Sequence, residues 1–346
     1  MRVRMPAEWE RQSGVLVAWP HSGTDWLPML GQARACFGRF VALISQVEFV
    51  VLIAPDTVQA KSCLDGVEGV DPSRVRYVQV ATNDTWTRDY GPITVVTPEG
   101  EYCLRDFQFD GWGGKYEAYL DNRVTLELCG KGVFNNNVNL LTIPHVLEGG
   151  SVESDGRGCV MTTSRCLLNP NRGGSGDRAS VEELMADCLG AEKVLWLDHG
   201  QLAGDDTDGH IDTLARFAPG GAILYVCCAD TSDQHYAELK EMERELRQLT
   251  DTEGKPFKLK RLPMPEPIYD SDGRRLPATY ANFLVINSLV LVPSYGQPGT
   301  DAEAARVIGE AFPGRGVELV DCLPLIRQYG SLHCSTMQFP QDVIRL

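Results

Sequence analysis

The sequence predicts an α/β protein in which about five copies of one strand, strand, helix, strand unit make up a single domain spanning residues 1–346. Three observations carry this expectation. Hairpin turns, helix starts and apolar runs recur in a fixed order along the chain. A hydrophobic content of 43% supplies a sizeable core for 346 residues. No Ser/Gly-rich or low-complexity linker interrupts the series, and self-similarity at a regular interval points to a radial or stacked repeat rather than two unrelated domains.

Taken in order, "ACFGRFVALISQ" reads as a helix and "FVVLIA" and "RYVQV" as strands. "ITVVT", the turn "PEG" and "YCLRDFQF" form a hairpin. From Glu148, "EGGSVES" turns through "DGRG" into "CVMTTSRCLL", a helix is expected from Ser180 with Glu183 in capping-box spacing, and "KVLWLD" follows. From His210, "HIDTLARF" turns through "APGG" into "AILYVCCAD", and the amphipathic "YAELKEMERELRQL" leads to "FKLKRLP". From Ala281, "ANFLVI" turns at Asn287-Ser288 into "LVLVPSYG", a helix is expected from Thr300 with Glu303 three residues on, and "VELVDC" closes the unit. Asp89, Glu148 and His210 each lie at or just before the first strand of a unit, and Cys334 begins one last strand. Around a common axis these positions would meet at one end.

A formal net charge of -15 argues against nucleic acid or an anionic membrane as partner and permits a cationic substrate. The eleven cysteines are odd in number, lack a CxxC pair and fall mostly in apolar runs, the pattern of reduced, buried thiols. "MRVRMPAEWERQSG" lacks the apolar core of a signal peptide, and no apolar run approaches the roughly 18 residues of a spanning helix. The expected location is the cytoplasm. Association into a homo-oligomer is left open.

The chemistry concentrates in a few stretches. "GDDTDGHID" sets Asp205, Asp206, Asp208 and Asp212 around His210. A neutral imidazole is a ready acid or base near pH 7, and a crowd of carboxylates supplies acceptors for a cation. The other readings of this stretch are a solvated acidic turn and a metal site. Its spacing does not match an EF-hand loop, and the chain has no HExxH or Cys/His cluster. On a strand, His210 and Asp212 would share one face. In "NDTWTRDYGP", Trp86 and Asp89 would suit a planar cation, the ring packing on it and the carboxylate accepting its N–H bonds, while an extended segment would turn Arg88 away. "LEGGSV" offers Glu148 and "FDGWGGKYE" offers Trp112, with a tight turn and a packing residue as the bland alternatives. Cys334 follows the loose "YGSLH" stretch and is the candidate nucleophile, against the general rule that most cysteines are inert core.

"MPAEWE" with "AWP", "NDTWTRDYGP", "FDGWGGKYE", "LEGGSV", "DDTDGHID", "LPATYANF" and "GSLHCSTMQ" follow the order and spacing of the agmatine deiminase family, which also includes bacterial peptidylarginine deiminases. The chain resembles that family from Met5 to about Gln338. The resemblance implies a pentein fold, a five-bladed α/β propeller of ββαβ-type units around a pseudo-fivefold axis, and cysteine catalysis with no metal or organic cofactor. It implies Cys334 as nucleophile, His210 as general acid/base, Asp89 and Asp212 as guanidinium-binding carboxylates, Glu148 as the residue orienting the histidine, and Asp206 as a further substrate-site acid. Trp86 and Trp112 are the expected aromatic walls. The implied reaction converts agmatine, a small guanidinium cation, to N-carbamoylputrescine and ammonia. Peptidylarginine deimination, amidino transfer to an amine and a non-catalytic pentein binding module are the alternatives, with a papain-like hydrolase a weaker rival. One departure stands out: the family's glycine pair in "GGxxHC" is replaced by Tyr329-Gly330.

Overall fold

The structure is a computed structural model that describes residues 3–173 and 176–345; Met1 and Arg2 of the N-terminal stretch discussed above lie outside the described residues. Apolar, β-branched runs give the strands, and the turns between them are short and glycine-bearing. β1 (Gln12–Ala18) and β2 (Phe49–Ala54) pair in parallel, joined across the helix Leu30–Ser45, and β3 (Val75–Gln79) extends that sheet in parallel. The second unit pairs β4 (Ile93–Val96) antiparallel to β5 (Tyr102–Gln108), and β5 parallel to β6 (Asn139–Val146). The third repeats this with β7 (Glu153–Ser154), β8 (Cys159–Thr163) and β9 (Lys193–Leu197), the helix Arg178–Leu189 making the crossover. In the fourth, β10 (Ala215–Ala218), β11 (Ala222–Cys227) and β12 (Lys258–Pro263) frame the helix Tyr236–Leu246. The fifth has β13 (Leu284–Val285), β14 (Leu289–Ser294), the helix Pro298–Ala311 and β15 (Gly316–Asp321). β16 (Met337–Pro340) returns to pair antiparallel with β1, so the first sheet acquires its antiparallel partner from more than 300 residues away.

The expected unit is therefore present five times among the described residues, each sheet containing an antiparallel pair followed by a parallel strand, with β3 a second parallel strand in the first sheet. Parallel neighbours need a crossover, and the intervening helices supply it. Three local expectations are corrected. The third-unit helix starts at Arg178, not Ser180: the Asp177 side chain accepts from the Ser180 amide and so takes the cap position. The fifth-unit helix starts at Pro298, not Thr300, because Pro tolerates a first-turn position that has no amide partner, and Glu303 pairs with Arg306 instead of reaching back to a cap. The run "CVMTTSRCLL" is not all strand: Thr163 caps a helical turn, Ser164–Leu167.

Candidate active site

Five segments lead into β4, β7, β10, β13 and β16, and each delivers a polar side chain or backbone group to one buried cluster. Cys334 sits in a turn where the Ser335 amide donates to the Ser331 carbonyl and the Arg88 amide to the Cys334 carbonyl. The segment before β16, expected to be loose, is thus tied down and buried. Asn282, just ahead of β13, accepts from the backbone amides of His333 (2.9 Å) and Cys334 (3.2 Å) through one amide oxygen. Its Nδ2 lies 3.2 Å from the Cys334 sulfur and donates to Asp212 Oδ2 at 3.1 Å. That carboxylate oxygen is 3.7 Å from the same sulfur. Burial, then the charges of Asp212 and Asp89, push the Cys334 thiol well above its ordinary value.

His210 precedes and Asp212 lies within a 3-10 turn, Ile211–Thr213, instead of both lying on a strand. The turn still aims both inward. An imagined Cβ on Gly150 would come within 2.6 Å of His210 Nδ1, 2.7 Å of Asp89 Oδ1 and 3.3 Å of Asp212 Oδ2, so only glycine lets these three groups converge. The Gly150 amide instead donates to Asp89 Oδ1 at 3.0 Å, and Trp112 Nε1 donates to Asp89 Oδ2 at 2.9 Å. Asp89 and Arg88 lie in a single helical turn, Thr87–Tyr90, not in an extended segment. Arg88 does point away from Asp89's partners, toward the His333 carbonyl and the Met337 sulfur. Burial, then Asp212 and Glu148, raise the Asp89 carboxyl well above the usual range, whereas Asp212 is held below it, burial being outweighed by the hydrogen bond from His333 and the charge around it.

Among the described residues neither ring nitrogen of His210 has a hydrogen-bond partner. Nδ1 is 3.6 Å from Asp89 and Nε2 is 4.0 Å from Glu148 Oε2. Burial lowers the imidazole to about 4, so it rests neutral near pH 7. Glu148 is completely buried; Arg172 Nε donates to its Oε1 at 2.7 Å, and Oε2 has no partner. Arg172 is itself clamped by Asp208 and the Thr207 carbonyl.

A mouth of about 410 Å³, open to solvent, leads down to Cys334 and Asp89. Trp86, Trp112, Tyr116 and Tyr329 line it, with Asp25, Asp84 and Asp206; among the described residues no Lys or Arg does. Asp206 accepts from Tyr116 Oη at 2.8 Å, and burial raises its carboxyl to about 6. A Cβ on Gly330 would stand 2.3 Å from the Trp86 ring, so the indole rests on bare backbone there. Tyr329 occupies the left-handed region at φ +66°, a conformation glycine adopts without strain.

The structure thus brings Cys334, His210, Asp89, Asp212 and Glu148 into one cluster and sets Asp206, Trp86 and Trp112 at its mouth. Sequence reasoning missed Asn282, Arg172 and the part played by His333. The repeat points to Asn282, because it holds in the unit beginning at Ala281 the lead-in position that Asp89, Glu148 and His210 hold in theirs. Nothing local marks Arg172, whose partner Glu148 is 24 positions away.

The profile described as Porphyromonas-type peptidyl-arginine deiminase matches residues 4–340. The chain belongs to this family. It is 31% identical to the agmatine deiminase of Stutzerimonas stutzeri over 99% of this chain and 96% of that one. Among solved structures, a Porphyromonas gingivalis protein described as a candidate arginine deiminase is 44% identical, with a TM-score of 0.93 over 100% of both chains. A cysteine-to-serine variant of C. jejuni agmatine deiminase with substrate bound is 35% identical, with a TM-score of 0.90 over 99% of this chain and 97% of that one. The chain shares with these relatives the pentein fold that the family resemblance implies, and its five sheets agree with the repeat count. Among the described residues no helix is long and apolar enough to cross a membrane, and all eleven cysteines are free.

Proposed function

We propose that the chain is a single-domain hydrolase that deiminates agmatine to N-carbamoylputrescine and ammonia, with Cys334 as nucleophile. The observation that carries this reading is the convergence of Asp89 and Asp212 beside a buried thiol and an unpartnered imidazole. Two carboxylates grip the guanidinium nitrogens and fix its plane, which also returns to the site the positive charge that burial denies it. With the cation in place, the thiolate becomes accessible. The thiol proton passes to His210, the sulfur attacks the guanidinium carbon, and His210 returns the proton to the departing nitrogen, which leaves as ammonia. A water deprotonated by His210 then attacks the thiouronium carbon, and the sulfur leaves to give a urea. Glu148, anchored by Arg172, sits behind His210 and orients it and favours its charged form as the proton moves.

The acidic, aromatic mouth supports agmatine over free arginine. An α-carboxylate entering beside Asp25, Asp84 and Asp206 would lose its water with no cation to meet it, whereas a terminal ammonium finds Asp206. The named relatives include agmatine deiminases, and the family description names peptidylarginine. A cytoplasmic location is supported by eleven free thiols. The test is a panel of agmatine, arginine and an arginine-containing peptide scored for ammonia and ureido product. Agmatine should lead arginine in kcat/KM by a wide margin. Equal efficiency on the peptide would overturn the substrate, and consumption of substrate without ammonia release would point to amidino transfer.

A further inference from the structure

Behind the proton-moving histidine lies a second buried thiol that the deimination reading does not use. Cys166 occupies the helical turn after β8, and Thr163 holds it there by accepting from the Cys166 amide at 3.3 Å and donating to the Gly209 carbonyl at 2.6 Å. Gly209 precedes His210, so the thiol and the imidazole are fixed as neighbours through one threonine. One donor atom from each of Glu148, Cys166 and His210 falls within 4.8 Å of the others, and all three side chains are buried. Two of these residues present atoms that nothing satisfies: Glu148 Oε2, turned away from Arg172, and both ring nitrogens of His210. Buried polar atoms are ordinarily paired, so an oxygen and a nitrogen left open beside a thiol form an unfinished coordination shell.

We propose that Glu148, Cys166 and His210 form an inhibitory site for a thiophilic divalent metal ion, with zinc the best fit. The inhibition, though not the binding, rests on the proton-transfer role assigned to His210. A thiolate, an imidazole and a carboxylate are a donor set suited to tetrahedral zinc with the fourth position open to water, and the thiolate disfavours magnesium and calcium. The separation of 4.0 Å between His210 Nε2 and Glu148 Oε2 exceeds the roughly 3.3 Å that two tetrahedral ligands about 2 Å from zinc would have, so the side chains close slightly on binding. The Cys166 thiol gives its proton to solvent as the metal–sulfur bond forms. The ion then ties up the imidazole lone pair that both proton transfers need. Arg172 neutralises part of the Glu148 charge and keeps the site from binding metal irreversibly.

Cobalt(II) is the probe, since a cobalt–thiolate bond gives a near-ultraviolet charge-transfer band and tetrahedral cobalt gives visible bands without any turnover. After chelator treatment, wild type and Cys334→Ala should both develop the bands, while Cys166→Ala and Cys166→Ser should not. Zinc binding followed by calorimetry should weaken more than about 100-fold in both Cys166 variants, because loss of even an outer partner costs about 10–100-fold. Zinc should inhibit wild type reversibly with chelator, and the Cys166 variants should keep turning over at the same zinc concentration. Two Cys166 variants guard against a packing defect in one of them. If wild type shows no cobalt–thiolate band, the proposal is wrong; if Cys334→Ala loses the band while the Cys166 variants retain it, the proposal is likewise wrong and the metal sits on Cys334 instead. The cobalt measurement stands even if no guanidine proves to be a substrate, so failure of the deiminase reading would be seen separately.

Discussion

His210 and His333 are buried in the same acidic cluster, and their ring nitrogens are used in opposite ways. His210 makes no hydrogen bond through either one. His333 places Nδ1 2.8 Å from Asp212 Oδ2 and Nε2 2.8 Å from Glu8 Oε2, and its amide is held by Asn282. Glu8 also receives Arg216, which bridges to Glu153, so His333 is one link in a chain of buried polar contacts. Burial works against the Glu8 charge, but Arg216 and His333 outweigh it and hold the carboxyl below its usual range. The residue proposed to move protons is left unsatisfied among the described residues, and the one that touches two carboxylates is saturated. Residue type does not distinguish them; their surroundings do.

This contrast breaks if the two histidines respond alike to substitution. His210→Asn should lower kcat by about 10²–10⁴ while leaving unfolding by denaturant nearly unchanged; turnover within tenfold of wild type would remove the proton-moving role. His333→Leu should do the reverse in kind, costing about 3–5 kcal/mol of folding stability because Asp212 and Glu8 are left buried without their partner. A His333→Leu protein with unaltered stability would show the chain of buried contacts to be ornamental.

The pH dependence of stability sharpens the same comparison. His210 is lowered to about 4 in the folded protein, so the unfolded chain binds its proton first and stability falls as pH drops from 6.5 towards 4. The loss attributable to this one group is about 3 kcal/mol. Taking the difference between wild type and His210→Asn over pH 4–7 cancels the contributions of the carboxyls common to both, and a difference that does not vary with pH would contradict the assignment. Asp89→Asn comes next, with kcat/KM reduced by about one to two decades for a lost charge-assisted bond of about 1.5–3 kcal/mol. Unchanged kinetics would take Asp89 out of substrate binding. The smallest effect belongs to the mouth. Tyr329→Gly relieves a left-handed tyrosine, a gain of at most about 1 kcal/mol after the added backbone entropy of glycine. The same change should raise the peptide-to-agmatine ratio of kcat/KM, and a fall in that ratio would show that Tyr329 does not narrow the opening.

The five units were legible because the hairpin, helix and strand patterns repeat, and repetition is a signal that survives errors at single boundaries. Asp177 and Pro298 show where those errors arise: a cap is decided by which side chain reaches a free amide, and several candidates lie within three residues. Cys334, His210, Asp89, Asp212 and Glu148 could be named because each stands at the start of a unit and family motifs surround it. Asn282 occupies an equivalent place but carries a neutral amide inside "YANF", which reads as core. Arg172 and Cys166 lie within the third unit, between β8 and its crossover helix, so periodicity does not mark them. Their relation to Glu148 and His210 exists only in three dimensions.

The pairing of β16 with β1 has a consequence for how the protein is made. Four of the five sheets can assemble from residues close together in the chain, but Gln12 must wait for Pro340. Until then the buried, apolar β1 presents an open edge to other nascent chains, a long-range contact of the kind that slows folding and invites misassembly. Cys334 emerges from the ribosome only just ahead of the strand that seals this edge. A polypeptide interrupted anywhere upstream therefore lacks both the proposed nucleophile and the seal, so on that reading chemistry becomes available only to a molecule whose first sheet is about to be completed.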